Sequence, residues 1–299
     1  MTDFYPILLE LIIKTSTELP EDVTGALRSQ LAQEETGSTA ASVLETLLEN
    51  IRLAHERQLP LCQDTGTIHF YVTASEDFPR RRFRADAERA VVEATRRGLL
   101  RQNCVESVTG HNTGNNLGYV NPTFHWEETE DASAPPKVTV LLKGGGSENV
   151  GIQYTLPDET LNAGRDLDGV KKCILDAVYR AQGKGCAPGI LGVCIGGDRA
   201  GGAEEAKRQL MRQIGERSTD PALATLEQEV LAKANALGIG PMGLGGKTTL
   251  LDAFVGTRTR HPASYFVTVC YNCWCMRRQT LEIRDYCSSG TLRPGELES

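Results

Sequence analysis

Leu61-Cys62-Gln63-Asp64-Thr65-Gly66-Thr67 separates two kinds of sequence. Before it, apolar residues recur every three and four positions; after it, Ile68-His69-Phe70-Tyr71-Val72 is β-branched or aromatic throughout, as a strand requires. The run itself sets a thiol, an amide and a carboxylate side by side, and Gly66 permits the bend that would present them to one point. The residues alone allow two readings: an Asp-Thr-Gly turn with a buried structural cysteine, or a metal or substrate site.

Upstream, helices are predicted over 4–19, 21–33 and 42–58, the last with Val43, Leu44, Leu47, Leu48, Ile51 and Ala54 along one face. Downstream, a strand is predicted over 68–74 and a helix over 84–101, followed by an irregular, polar and glycine-rich run at 111–118. Strands at 122–126 and 137–142 flank an acidic loop; a helix over 166–182 and a buried strand over 190–195 follow. Helices at 202–214 and 221–237 come next, the second opened by Asp220 as N-cap and Pro221 at its first position, then strands at 248–255 and 265–270. The pattern predicts a mixed α/β (α+β) fold: a helical N-terminal lobe (1–60) packed on a body of strands and helices (61–285), then a tail (286–299).

At 299 residues and 40% hydrophobic the chain can bury a substantial core, and a formal charge of -7 argues against wrapping nucleic acid or adsorbing to an anionic membrane. The basic clusters Arg80-Arg81-Arg82 and Arg96-Arg97 fall on helical stretches and read as solvated surface. No apolar run approaches the roughly 18–20 residues that span a bilayer, and Met1-Thr2-Asp3 lacks the basic start of a secretory signal. The expected location is the cytoplasm, where thiols stay reduced; nine cysteines there point to metal ligation mixed with buried structural thiols.

Gly238-Ile239-Gly240-Pro241-Met242-Gly243 spells a dinucleotide fingerprint but follows a helix instead of a strand. Gly246-Lys247-Thr248 ends like a Walker A loop, yet Pro241 stands where that loop needs its first glycine. Nucleotide binding is not expected. The remaining use for these glycines, and for Gly144 to Gly146, is close approach of backbone N–H groups to an anion.

Cys62 lies in a polar turn, Cys186 in a Gly-Pro turn at a strand entrance and Cys273 just after a strand, so a body of strands can direct all three to one edge. Thiolates without accompanying histidine or carboxylate ligands favour an iron-sulfur cluster over magnesium or catalytic zinc. Cys173 falls on the apolar side of a helix and Cys194 inside a buried strand, where packing is the expected role. Three cysteines for four irons would leave one iron open to act as a Lewis acid on a hydroxy acid, with Asp64 as base and Arg101 as a carboxylate holder by type.

Five stretches in order carry a resemblance: Cys62-Gln63-Asp64-Thr65-Gly66; Lys143-Gly144-Gly145-Gly146-Ser147-Glu148-Asn149; Gly185-Cys186-Ala187-Pro188-Gly189 with Gly196-Gly197; Gly238 to Gly243; and Asn272-Cys273-Trp274 with Arg277-Arg278. Together they resemble the class I, iron-sulfur-dependent fumarate hydratases and the related alpha subunit of L(+)-tartrate dehydratase. The resemblance implies a hydro-lyase with a 4Fe-4S cluster on Cys62, Cys186 and Cys273, one iron open. It further implies substrate contacts from Gln63, Arg101, Gly144, Gly145 and His261, with Asp64 catalytic. The reaction implied is hydration of fumarate to (S)-malate, a tricarboxylic acid cycle step; the alternatives are tartrate dehydration to oxaloacetate, or a non-catalytic thiol-based metal or redox sensor. Single-chain members continue into a second domain, so the resemblance implies a separate beta subunit here and a dimer of alpha-beta pairs. Cys270 and Cys275, flanking Cys273, leave open which thiol of the three binds iron.

Overall fold

The computed structural model describes residues 3–131 and 133–283; the expected tail at 286–299 lies outside them. In chain order the elements are α1 (Tyr5–Thr17), α2 (Glu21–Leu31), α3 (Thr39–Arg57), β1 (Thr67–Ala74), α4 (Arg80–Arg96), β2 (Thr123–Glu128), β3 (Lys137–Lys143) and α5 (Gly145–Glu148). They continue with β4 (Ile152–Thr155), α6 (Leu167–Ala181), β5 (Gly189–Gly196), α7 (Arg199–Gln209), α8 (Pro221–Ala236), β6 (Leu250–Arg258), β7 (Phe266–Asn272) and β8 (Arg277–Glu282). The class is mixed α/β, as the periodicities predict. The chain divides into two compact units, each built from separated segments.

The first unit takes the described residues of Met1–Pro20, Asn50–Gly144 and Arg277–Ser299. Its sheet has the order β2-β1-β3-β8, with β1 parallel to β2 and antiparallel to β3. Alternation sends Ile68, Phe70 and Val72 of β1 and Val138, Val140 and Leu142 of β3 to one face. That face is covered by Leu8, Leu11 and Ile12 of α1 and by Phe83, Ala87, Ala90, Val91 and Ala94 of α4, forming one core. The opposite face is polar and includes Thr67, His69, Tyr71, Thr139 and Lys143; His69 Nδ1 and His125 Nε2 lie 3.2 Å apart there.

The second unit takes Glu21–Glu49 and Gly145–Met276, around a sheet ordered β4-β7-β5-β6. Val170, Ile174, Ala177 and Val178 of α6 and Leu226, Val230 and Ala234 of α8 pack on Leu191, Val193, Val255, Val267 and Val269. On the other face Gly192 lies under α7, where any Cβ would run into the Ala206 carbonyl. The predicted cap of α8 is present: Asp220 accepts from the N–H of Ala222 and Leu223, with Pro221 next in the chain.

Two strands escaped the sequence pattern. β4 is four residues long, too short to show a period, and β8 reads Arg-Arg-Gln-Thr-Leu-Glu, polar at positions that the sheet buries. Arg277 pairs with Leu142 and Arg278 with Leu141, and both arginines are buried.

Candidate metal and substrate site

In the first unit, the opening stretch is a loop seated on the start of β1 and the end of β3. Gly66 has φ +79, and a Cβ there would lie 2.7 Å from the carbonyl of Lys143, so no other residue fits without displacing the backbone. Asp64 Oδ1 accepts the N–H of Gly66 at 2.9 Å, closing an Asx turn that fixes the carboxylate beside the bend. Thr67, paired in register with Lys143, donates from its hydroxyl to the Lys143 carbonyl at 3.3 Å. Gly144 therefore leaves β3 directly beside the Cys62–Thr67 loop.

Thr65 ties this loop to the segment carrying Arg101. Its buried hydroxyl accepts the backbone N–H of Arg101 at 2.9 Å and Asn103 Nδ2 at 2.9 Å. Asn116 extends the brace, with Oδ1 accepting the Asn103 N–H and Nδ2 donating to the Arg101 carbonyl. Asn116 holds φ +60 in the glycine-rich run at 111–118 and is 3% exposed, which gives that irregular run a positioning role. The first unit thus gathers Cys62, Gln63, Asp64, Arg101 and Gly144. Cys62 and Asp64 are half-buried, whereas Gln63 and Arg101 are exposed.

In the second unit, β7 runs antiparallel to β5 with Asn272 opposite Ile190, so the entry of β5 and the exit of β7 share one end of the sheet. Cys186, exposed and at φ +54, precedes β5; Cys273, half-buried, follows β7. The Trp274 N–H donates to the Cys186 carbonyl at 3.3 Å and joins the two cysteine turns. The Met242 N–H donates to the Ala187 carbonyl at 2.9 Å, and Gly183 and Gly243 touch backbone to backbone. The helical turn α5 packs against β7 and the 182–185 turn, which places Gly145 at this end.

Burial distinguishes the cysteines. Cys270 and Cys275 are buried, and Cys270 projects from β7 to the face opposite Tyr271. Burial, with Asp158 and Asp176 behind it, pushes the Cys173 thiol up to about 12; burial and Glu205 push Cys194 up to about 11. Both are protonated packing groups at neutral pH. None of the described cysteines forms a disulfide.

His261 is placed differently. It lies in the connection before β7, at the opposite end of that strand from Cys273, and β7 at roughly 3.4 Å per residue separates the two ends by about 20 Å. Its Nδ1 accepts the Ala263 N–H at 3.1 Å, a local turn contact. The second unit brings Cys186, Cys273 and Gly145 together and leaves His261 outside that group.

The glycines at 238–246 do not form an open anion loop. The Lys247 and Thr248 N–H groups donate to the Glu34 carboxylate, the Gly240 N–H to Thr249 Oγ1 and the Gly245 N–H to the Ile239 carbonyl. Their freedom serves close backbone packing: a Cβ on Gly240 would enter the Gly245 carbonyl.

Among the described residues, no three histidine, cysteine, aspartate or glutamate side chains gather as a self-contained metal site. Two buried polar atoms next to Cys273 have no hydrogen-bond partner among the described residues, the Tyr271 hydroxyl and Asn272 Oδ1. Buried polar atoms are almost always satisfied, so a thiol-rich turn bearing two orphans fits a bound group at the cysteine end of this sheet. Thiol donors suit soft metal centres such as zinc or iron-sulfur better than magnesium.

Two compact α/β units, one presenting a Cys-Gln-Asp turn and the other a pair of joined cysteine turns, mark a class of thiol-bearing α/β proteins. Within it, a protein of Geobacillus stearothermophilus with the provisional name fumarate hydratase class I is 45% identical over 286 residues, which is 95% of this chain and 55% of the relative. A provisionally named L(+)-tartrate dehydratase subunit alpha of Methanocaldococcus jannaschii is 34% identical, over 93% of this chain and 96% of the relative. The L(+)-tartrate dehydratase subunit alpha of Escherichia coli is 33% identical, over 89% and 86%. The family profile described as fumarate hydratase (Fumerase) matches residues 7–282, and the chain belongs to that family. It spans about half the length of the Geobacillus relative, 55%.

Proposed function

We propose that this chain is the cluster-bearing alpha subunit of an iron-sulfur hydro-lyase that interconverts fumarate and (S)-malate, with Cys62, Cys186 and Cys273 holding a 4Fe-4S cluster. The observation that carries the reading is the joining of the Cys186 and Cys273 turns at one end of the second unit's sheet, beside two unsatisfied buried polar atoms. When bound, the cluster supplies an open iron as Lewis acid for the hydroxyl that leaves or adds.

The chain's own residues do the rest. Asp64, its carboxylate fixed by the Gly66 N–H, removes or returns the proton at the carbon next to the one bearing oxygen. Arg101 offers its planar donors to a carboxylate, and Thr65 sets its backbone relative to Asp64. Gln63 and the N–H groups of Gly144 and Gly145 bind the remaining substrate oxygens. His261, in the connection before β7, is proposed as a further substrate contact.

The relatives named subunit alpha support a partner polypeptide, and we propose a beta subunit that completes the active site, in a dimer of alpha-beta pairs in the cytoplasm. No helix among the described residues is long and apolar enough to cross a membrane. The tartrate reading is supported by the near full-length match to the two alpha subunits, and the higher identity to the fumarate hydratase favours fumarate. Turnover of (S)-malate against L-tartrate by the assembled complex tests the choice. A kcat/KM higher for (S)-malate is expected; preference for tartrate would reverse the assignment.

A further inference from the structure

The last core residue of β7 is a tyrosine whose hydroxyl has no hydrogen-bond partner among the described residues. Tyr271 is 2% exposed and packs in the second unit's core with Leu191 opposite it on β5. Its ring lies over Gly185 and Gly189, which bracket Cys186, and a Cβ on either would run into it; at Gly189 the obstruction includes the hydroxyl itself. Two glycines of the cysteine turn are therefore committed to admitting this side chain to its full length.

A phenylalanine would fill that space equally well. Burying a hydroxyl with no partner costs on the order of 1–3 kcal/mol, and the Tyr271 hydroxyl has none among the described residues. An ordinary phenol keeps its proton at neutral pH, so the oxygen is available as a donor. Its seat against Gly185 and Gly189 sets the hydroxyl at the turn that carries Cys186. Sulfur bearing negative charge is an acceptor that a group held by the cysteine turns would bring to this hydroxyl.

Building on the cluster reading above, we infer that the Tyr271 hydroxyl donates a hydrogen bond to a sulfur of the centre held by Cys186 and Cys273. Hydrogen bonds to cluster sulfurs set the reduction potential, because they stabilise the more negatively charged state. Tyr271 is thus a tuning residue: it disfavours loss of an electron from the centre and slows its oxidative breakdown in air.

The test is Tyr271→Phe in the full-length chain, reconstituted anaerobically with ferrous iron and sulfide. The apo variant should melt at or above the wild-type temperature, since only an unsatisfied hydroxyl is removed. The loaded variant should show a more negative midpoint potential in a dye-mediated titration, about tenfold in the one-electron equilibrium or about 59 mV. It should also bleach faster in air. Replacement of Tyr271 by 3-fluorotyrosine, a stronger donor of nearly the same shape, should shift the potential the opposite way and covers the case in which the phenylalanine variant folds poorly.

Equal potentials and equal bleaching in loaded wild type and both variants would overturn the inference alone. So would a lower apo melting temperature in Tyr271→Phe with an unchanged potential, which would reveal a partner inside the protein. Wild-type chain that takes up no iron and sulfide would overturn the cluster reading itself, and this inference with it.

Discussion

The Thr65 hydroxyl accepts the Arg101 backbone N–H at 2.9 Å, so the residue next to the proposed base also holds the proposed carboxylate-binding arginine. A methyl in place of that oxygen would take the shared acceptor from two part-buried donors, the Arg101 N–H and Asn103 Nδ2, the latter keeping only its longer bond to the Gly66 carbonyl. Thr65→Val, nearly the same shape, should lower unfolding free energy by about 1–3 kcal/mol and reduce kcat/KM, whereas Thr65→Ser should preserve both within a few tenths. Urea unfolding and steady-state kinetics check the pair; equal behaviour of the two variants would contradict the bracing role.

Gly66→Ala should be more disruptive than its size suggests. The new methyl would sit 2.7 Å from the Lys143 carbonyl in a left-handed conformation, and the combined strain should cost about 2 kcal/mol or more. The expected result is a marked loss of folded protein or a melting point several degrees lower. A variant as stable as wild type would show that the loop does not press on β3 as described.

The buried thiols give the protein an alkaline instability with a defined sign. Cys173 and Cys194 are raised to about 12 and 11 in the folded state, against about 8.5 for an unperturbed thiol. The raised folded pKa favours the neutral form, so the stabilisation is fully present below the unfolded value and is lost as pH rises toward the folded one. Unfolding free energy should fall between about pH 8.5 and 12, and Cys173→Ala should flatten that fall while lowering the plateau by about 1–2 kcal/mol. A slope unchanged by the substitution would contradict the assignment. In thiol labelling of the apo chain near pH 8, exposed Cys186 should react first, with Cys173 and Cys194 silent until the protein unfolds.

Glu34 occupies the place that an anion would take at the Lys247-Thr248 turn, accepting both N–H groups and the Thr248 hydroxyl. Glu34→Gln should destabilise the chain by about 1–2 kcal/mol in chemical unfolding, because the charged acceptor is replaced by a neutral one. Wild-type protein should show no saturable binding of ATP or phosphate at this turn by calorimetry; such binding, lost on substituting Lys247, would restore the anion-loop reading.

Much of the fold was legible where physics repeats along the chain. Val43, Leu44 and Leu47 announce α3, Asp220 and Pro221 open α8, and the β-branched run at 68–72 gives β1. What stayed hidden depends on partners distant in sequence. Arg277 looks like surface charge until Leu142 is found opposite it, and the assembly of each unit from separated segments leaves no mark on local composition. In the site, residue type pointed to Cys62, Asp64, Cys186 and Cys273. It missed Thr65, Asn103 and Asn116, whose roles lie in long-range hydrogen bonds, and Tyr271, whose only local signal is a strand tyrosine two places before a cysteine.

The most direct test of the cluster assignment is the iron and sulfide content of the anaerobically reconstituted full-length chain, with Cys62, Cys186, Cys273, Cys270 and Cys275 each replaced by alanine. About four irons and four sulfides per wild-type chain are expected, as a 4Fe-4S centre requires. Loss should follow replacement of Cys62, Cys186 or Cys273, and full content should survive replacement of Cys270 or Cys275. Retention in the Cys62, Cys186 and Cys273 variants, or a wild-type chain that binds zinc and no sulfide, would contradict the account.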